Sequence, residues 1–504
     1  MRLESSRRQL PRAAVALLGL SLISGCGLPG GNGTGGGHGS LTVPTDSPEA
    51  AGGWQGTITM FAQEYTPHAK VANGTGLDGL RAAADAWEKR HPGVRIRFVD
   101  DKFDDYVTTV RVKAAAGELW DVFWGQSVAL NGQWPEGIAY DLTPALKQRN
   151  PYAPRYKTWA QAMNPQVINA TKSGEGASYN INGDYVISKW YYNKDLFRKA
   201  GIKGPPRTWR EFTEVCRELR EKGVNPVSYV PYQTWMSKHF LTDLYAKDFD
   251  RLSRLDGASG FSTSDEALAI TDGSLAPASK RFLSWWPAFK KATDHWNRDY
   301  VSAPPERNVQ AEQDFVAGKA AMYFNGSYFT AKLQGAKPSF AWGSFDYPKV
   351  TEESVPDAHG IGTANASGGP TGAYQFAMST PQANRSMGEQ GKAETVLDWL
   401  RYLGSGPVSE EIINEAGQFL PSFAGTTPVP AFRKDAHLVR EPWRTPFVGF
   451  TSPSLDLDLQ RVFGNYLGGG ISLDTASDEV QRLLDRAAQQ YLTAHRPDQP
   501  SEKP

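Results

Sequence analysis

Apolar and polar positions change period several times along the first folded stretch. Gln55 to Phe61 alternates, with Ile58 and Met60 set against Thr57 and Thr59, and this predicts a strand. Leu77, Leu80, Ala84 and Trp87 then share one helical face, which His91-Pro92-Gly93 stops. Val94 to Val99 alternates again. Tyr106, Val107, Val110 and Ala114 mark a second helix closed at Gly117, and Asp121-Val-Phe-Trp-Gly125 is a short apolar strand. Strand and helix taking turns is the order of a parallel α/β sheet, where ligands sit at the carboxyl ends of strands. Gln63-Glu64, Trp124 to Gln126 and the neighbourhood of Asp184-Tyr185 fall at such ends.

The next apolar run, Tyr185 to Tyr192, predicts a strand ending in Asn193-Lys194-Asp195. A short helix, Leu196 to Ala200, closes on Gly201, the residue that best tolerates the left-handed turn at a helix end. Pro205-Pro206 enforces an extended link. Thr208-Trp-Arg-Glu211 is a capping box, and it opens a helix with Phe212, Val215, Cys216 and Leu219 on one face. Farther on, residues 248–280 are polar with weak periodicity, as an insertion would be. Trp285-Trp286 and the stretch Phe289 to Trp296 have helical spacing. Ala373 to Met378 predicts a strand. Val396, Leu397, Leu400 and Leu403 line a helix, as do Val480, Leu483, Leu484, Ala487 and Tyr491 near the end.

The two ends of the chain differ from this body. Arg2, Arg7 and Arg8 precede an apolar run, Ala13 to Ile23, that is too short to span a bilayer. Ile23-Ser-Gly-Cys26 follows and resembles the bacterial lipobox, which implies cleavage before Cys26 and lipidation of that residue. Seven of the ten residues from Gly30 to Gly39 are glycine, and Pro44, Ser47 and Pro48 come next. Such a segment cannot bury enough apolar surface to pack, so residues 26–53 are expected to act as a tether. The tail after Arg496 is polar and Pro-rich and is expected to be disordered.

The motifs in the body carry a resemblance. Trp190-Tyr-Tyr-Asn-Lys-Asp-Leu-Phe197, Ala200-Gly-Ile202 and Pro206-Arg-Thr-Trp209 resemble the central signature of bacterial extracellular solute-binding proteins. The nearest group is the family 1 sugar-binding type that includes maltose-binding protein. Gln313-Asp-Phe-Val-Ala-Gly-Lys-Ala-Ala-Met-Tyr-Phe-Asn-Gly-Ser-Tyr328 is a second match. Trp399-Leu-Arg-Tyr-Leu403 with Gly417-Gln-Phe-Leu-Pro421 is a third. The resemblance implies an α/β fold of two lobes, the type II periplasmic-binding-protein-like arrangement, joined by three hinge crossings near 183–189, 337–343 and 412–422. On this reading 1–25 is a lipoprotein signal peptide and 496–504 a disordered tail. Residues 54–185 with 344–415 make one lobe, and 186–343 with 416–495 the other. It also implies a function: capture of a carbohydrate, an oligosaccharide, for the permease subunits of an ABC importer. The protein would be held on the outer face of the cytoplasmic membrane by its lipid.

Composition and charge leave that picture standing. Lys plus Arg and Asp plus Glu number 54 each, so the net charge is zero, which argues against nucleic acid as a partner. The chain has 15 Trp, 20 Tyr and 23 Phe, which suits both a large core and a site that stacks on flat ligands. The two cysteines, Cys26 and Cys216, cannot make a disulfide framework or a cysteine zinc site. The glycine runs lie in the tether rather than after a strand, so they do not cradle phosphate, and the eight histidines are scattered. No cofactor, metal or catalytic constellation is expected, and the chain is expected not to be an enzyme. A sugar-active hydrolase would need two carboxylates about 5–10 Å apart across one cleft. A sensory lipoprotein on the same scaffold is the other alternative.

The candidate ligand set is therefore aromatic and polar: Glu64, Trp124, Gln126, Asp184, Tyr185, Trp235, Asn325, Ser327 and Tyr328. Trp124 and Trp235 would lay flat faces on sugar rings, and the amides and carboxylates would take hydroxyl hydrogen bonds. For each Trp core packing is the competing role. For Glu64 and Asp184 it is helix capping or an ion pair.

Overall fold

A computed structural model describes residues 53–67, 76–100, 106–127, 130, 134–173, 176–253, 263–362, 368–441 and 453–495. Cys26, the segments around it and the tail after Arg496 lie outside the described residues.

Two sheets, each with its own core, organise the body. In the first, β1 (Gly56–Met60) runs parallel to β2 (Val94–Phe98) and to β3 (Val122–Trp124). β9 (Gln375–Met378) returns antiparallel between β3 and β4 (Ile181–Asn182), giving the order β2-β1-β3-β9-β4. Gly125, just after β3, lets β9 come this close, because a Cβ there would collide with the side chain of Ala377. Trp87 and Trp399 meet in the core of this lobe, at 5.4 Å between ring centroids. Burying a large side chain this completely contributes about 1.5–3 kcal/mol.

The second sheet is antiparallel throughout. Its centre is β6 (Ser188–Asn193), flanked by β7 (Met322–Gly326) and β8 (Trp342–Asp346). Trp190 lies opposite both Phe324 and Phe345 and packs on Phe212 at 4.7 Å. The local signals act as their residues predict. The Asn193 side chain caps the helix Lys194–Ala200 by accepting from the Asp195 and Leu196 N–H groups at 2.9 and 3.0 Å. Gly201 ends that helix with φ 83°. Thr208 Oγ1 accepts from Glu211 N–H at 3.2 Å and opens the helix Trp209–Glu221, which buries Phe212, Val215, Cys216 and Leu219.

Three expectations change. The single strand expected over 185–192 is two: β5 (Asp184–Tyr185) pairs with β10 (Leu420–Pro421), and only from Ser188 does the chain join the second sheet. Between them Val186 exchanges backbone hydrogen bonds with Gly369, at 2.8 and 2.9 Å. The polar pair Ser188-Lys189 sits at the break, but both residues are buried like their apolar neighbours, so the stretch passes for one strand. The return expected at 337–343 falls later. β8 pairs with β6, and Tyr347, Val350 and Val355 belong to the second core, so a lobe boundary at 344 does not describe the packing. At the third crossing Phe419 and Phe423 still pack in the first core, beyond the expected limit of 415. Within 248–280, where periodicity is weak, the described residues include a closely packed helix. The helix Thr263–Thr271 buries Ser264 to Ala267, Ala269 and Ile270 and packs on the helix Leu473–His495; residues 254–262 lie outside the described set. A helix covered nearly all round has no amphipathic period to read.

A further small cluster sits where the sheets meet. Val167, Tyr185, Ile187, Leu420, Phe432, Leu438 and Val439 form it. Beside it Lys189, almost fully buried, binds Asp346 at 2.7 Å and Asp435 at 3.1 Å.

Candidate functional site

Tyr328 links the two cores. It follows β7 of the second sheet, yet its ring packs against the first core and lies 6.2 Å from Phe419. The Asn-Gly-Ser-Tyr sequence makes this possible. The Tyr328 ring folds over Gly326 so closely that a Cβ there would strike it. Asn325 Oδ1 accepts from the Gly326 N–H at 2.8 Å, Tyr191 donates to the Gly326 carbonyl at 3.1 Å, and Ser327 Oγ accepts from Ile187 N–H at 3.4 Å. Asn325 and Ser327 thus shape the turn that presents the ring.

Glu64 reaches the same place from the first lobe. It lies in the 3-10 turn Gln63–Tyr65 after β1, where Gln63 has φ 53°, a left-handed value uncommon for a residue with a side chain. Glu64 keeps contact with solvent, but the protein crowds its carboxyl. That desolvation raises the carboxyl above the usual range, offset in part by side-chain hydrogen bonds with Gln63 and Gln418. Tyr328 is pushed up to about 12, first by burial and further by the carboxylates of Glu312 and Glu64. Glu312 is ion-paired with Lys332 and lies 3.5 Å from the Asn325 amide nitrogen. Tyr232 adds to the same field, and Trp235, half-buried, stands 6.3 Å from it on the helix Gln233–Tyr245. Glu64, Gln418, Tyr328, Glu312, Tyr232 and Trp235 therefore form one aromatic and polar wall built from both lobes.

Other candidates lie elsewhere. Trp124 is half-buried in a separate aromatic group, 5.2 Å from Tyr106, with its indole N–H 3.4 Å from the Gly372 carbonyl. Gln126 is beside it, half-buried, its side-chain amide without a partner among the described residues. Asp184 and Tyr185 do not face a cleft. Asp184 is fully buried, and its Oδ2 accepts from Tyr65 O–H, Ala373 N–H and Tyr374 N–H, each at 2.9 Å. Tyr185 is enclosed in the small cluster at the crossing. Ser327 is likewise fully buried. These three hold the crossing together, because β5 must bury both of its faces to pass between the lobes.

Sequence reasoning missed Gln418, Glu312 and Tyr232. Gln418 stood within a quoted motif, and Glu312 one residue before another. Nothing in their local pattern separates them from solvated surface.

Two sheets with separate cores, three backbone crossings between them and a wall shared across the division define a two-lobed ligand-binding fold. The sequence pattern of the bacterial extracellular solute-binding proteins matches residues 72–405, and the chain belongs to that family. It is 28% identical over 139 residues to the sn-glycerol-3-phosphate-binding periplasmic protein UgpB of Brucella abortus, a match covering 27% of this chain and 29% of that protein. The chain thus spans under a third of the length of that curated relative. In fold it resembles RafE of Streptococcus pneumoniae, at a TM-score of 0.59 and 15% identity over 86% of this chain and 100% of the other. It also resembles the cyclic α-maltosyl-1,6-maltose binding protein of Arthrobacter globiformis, at 0.59 and 16% over 87% and 100%.

Proposed function

We propose that this protein captures a carbohydrate, an oligosaccharide, between its lobes and delivers it to the permease subunits of an ABC importer. It does so from the outer face of the cytoplasmic membrane, anchored through lipid on Cys26. The observation that carries the ligand class is the wall around Tyr328. Rings from Tyr328, Tyr232 and Trp235 offer stacking surface, and Glu64 and Gln418 offer hydroxyl partners. Oligosaccharide ligands in the names of structurally similar proteins point the same way. The ligand favours closure because Tyr328 and Glu64 come from different lobes and touch it together only when the lobes are shut.

The UgpB similarity raises a glycerol phosphate as a second reading. The wall disfavours it: Lys332 neutralises Glu312, and Glu64 remains to repel a phosphate. Thermal unfolding over a panel of oligosaccharides and sn-glycerol 3-phosphate decides between them. A ligand at 100 times its Kd adds about 2.7 kcal/mol of stability. Stabilisation by the phosphate and by no sugar would overturn the carbohydrate reading. Turnover of chromogenic glycosides would overturn the binding-only role.

A further inference from the structure

A cavity of about 420 Å³ lies beside the third crossing, and none of the residues of the wall around Tyr328 lines it. Its size is within the range of small-molecule sites. Three observations give it a function. First, its sides belong to different cores. Met163 and Phe423 are part of the first core. Val439, in the small cluster at the crossing, lies on the segment that starts at Asp435, and Asp435 is tied to β6 of the second sheet through buried Lys189. Second, Arg440 is the one charged residue of the lining, and its guanidinium has no partner among the described residues. Third, Gln166 lines the cavity, and its Oε1 is buried with no hydrogen-bond partner. A buried acceptor left unmet is costly, and a ligand donor removes that cost.

We propose that this cavity is a second ligand site, for a small carboxylic acid with an apolar body and a hydroxyl group. The carboxylate pairs with Arg440, in the charge-assisted geometry that guanidinium favours. The hydroxyl donates to Gln166 Oε1, and the body packs on Met163, Phe423 and Val439. Because the occupant bridges the first core and a segment tied to the second sheet, its binding changes the angle between the lobes.

The test titrates the full chain with 4-hydroxyphenylacetate by calorimetry, with its uncharged amide as control. The titration does not depend on which solute the cleft takes. Saturable binding is expected, weaker by about tenfold or more for the amide and for Arg440→Gln, as loss of one charge-assisted hydrogen bond implies. Ala436→Phe, which fills the cavity, should abolish it, and Trp235→Ala should leave it unchanged. Arg440 is exposed, so its substitution leaves folding intact. Equal affinity for parent, Arg440→Gln and Ala436→Phe, or no saturation, overturns the site. Site binding with no change in the small-angle-scattering radius of gyration overturns the coupling to the lobes.

Discussion

Asp184 gives the sharpest test of how the crossing is held. Three donors converge on its Oδ2, and donors favour the charged form. Burial opposes them: the carboxyl is wholly enclosed, its Oδ1 has no partner, and the group is raised from its ordinary 3.8 to about 7. The sign of the linkage follows. Below about pH 4 the carboxyl is protonated whether the chain is folded or not. Between about 4 and 7 the folded chain holds a proton that the unfolded chain releases, so stability falls as pH rises through that window. At about 1.4 kcal/mol per pH unit the whole interval amounts to about 4 kcal/mol. Asp184→Asn cannot ionise and should lack this loss. Its amide oxygen keeps the three donors, while its NH2 replaces the unpartnered Oδ1 and adds an unmet donor, a cost of about 1–3 kcal/mol. The variant should therefore be the less stable protein at pH 5. At pH 8 the gap should close or reverse. Urea midpoints followed by tryptophan fluorescence at the two pH values measure this. Parallel behaviour of parent and variant would refute the reasoning, and would mean that the three donors keep Asp184 ionised throughout.

Three more outcomes are expected. Lys189→Met strands the nearly buried Asp435 and should cost about 3–5 kcal/mol, read as a lower urea midpoint; adding Asp435→Leu should recover much of it, and no recovery would show that the ion pair is not the tie. Trp235→Ala should weaken carbohydrate binding by roughly 1–3 kcal/mol with little change in Tm; a much lower Tm with unchanged affinity would place Trp235 in the core. Cys26→Ser should move the protein from the membrane fraction to the soluble one, and retention after a high-salt wash would refute the lipid anchor.

What was legible in the sequence was what neighbours along the chain decide. The caps at Asn193 and Thr208 and the stop at Gly201 each satisfy backbone groups within four residues, so residue type and spacing suffice. The first sheet was legible up to β3 for the same reason, because alternation and helical faces are local. Its completion by antiparallel β9 was not, since β9 reaches β3 from some 250 residues away and the fit depends on Gly125 facing Ala377. Nor was the break between β5 and β6. Both are buried, and only their partners, β10 in one case and β7 with β8 in the other, distinguish them.

The candidate wall explains why site residues resist a reading from pattern even where the motifs around them do not. Glu64, Tyr328 and Gln418 lie on three remote stretches, and each comes just after a regular element: β1, whose alternation the sequence shows, β7, and the helix Gly406–Ala416 with its terminal Gly417. The elements are fixed by burial, which leaves a periodic trace. The residues just beyond them are fixed by what the other lobe brings, which leaves none. Asp184 and Glu64 show the consequence. Both are carboxylates near strand ends and both are raised by desolvation, but one is enclosed by its own crossing and the other is partly relieved by a hydrogen bond with Gln418 from a different one. Opening the lobes would change the surroundings of Glu64 and Tyr328 while leaving the donors on Asp184 in place. On the proposed function, recognition and closure draw on the same few contacts, so a substitution at Gln418 or Tyr328 should alter affinity and lobe angle together, whereas one at Trp235, carried wholly by the second lobe, should alter affinity alone.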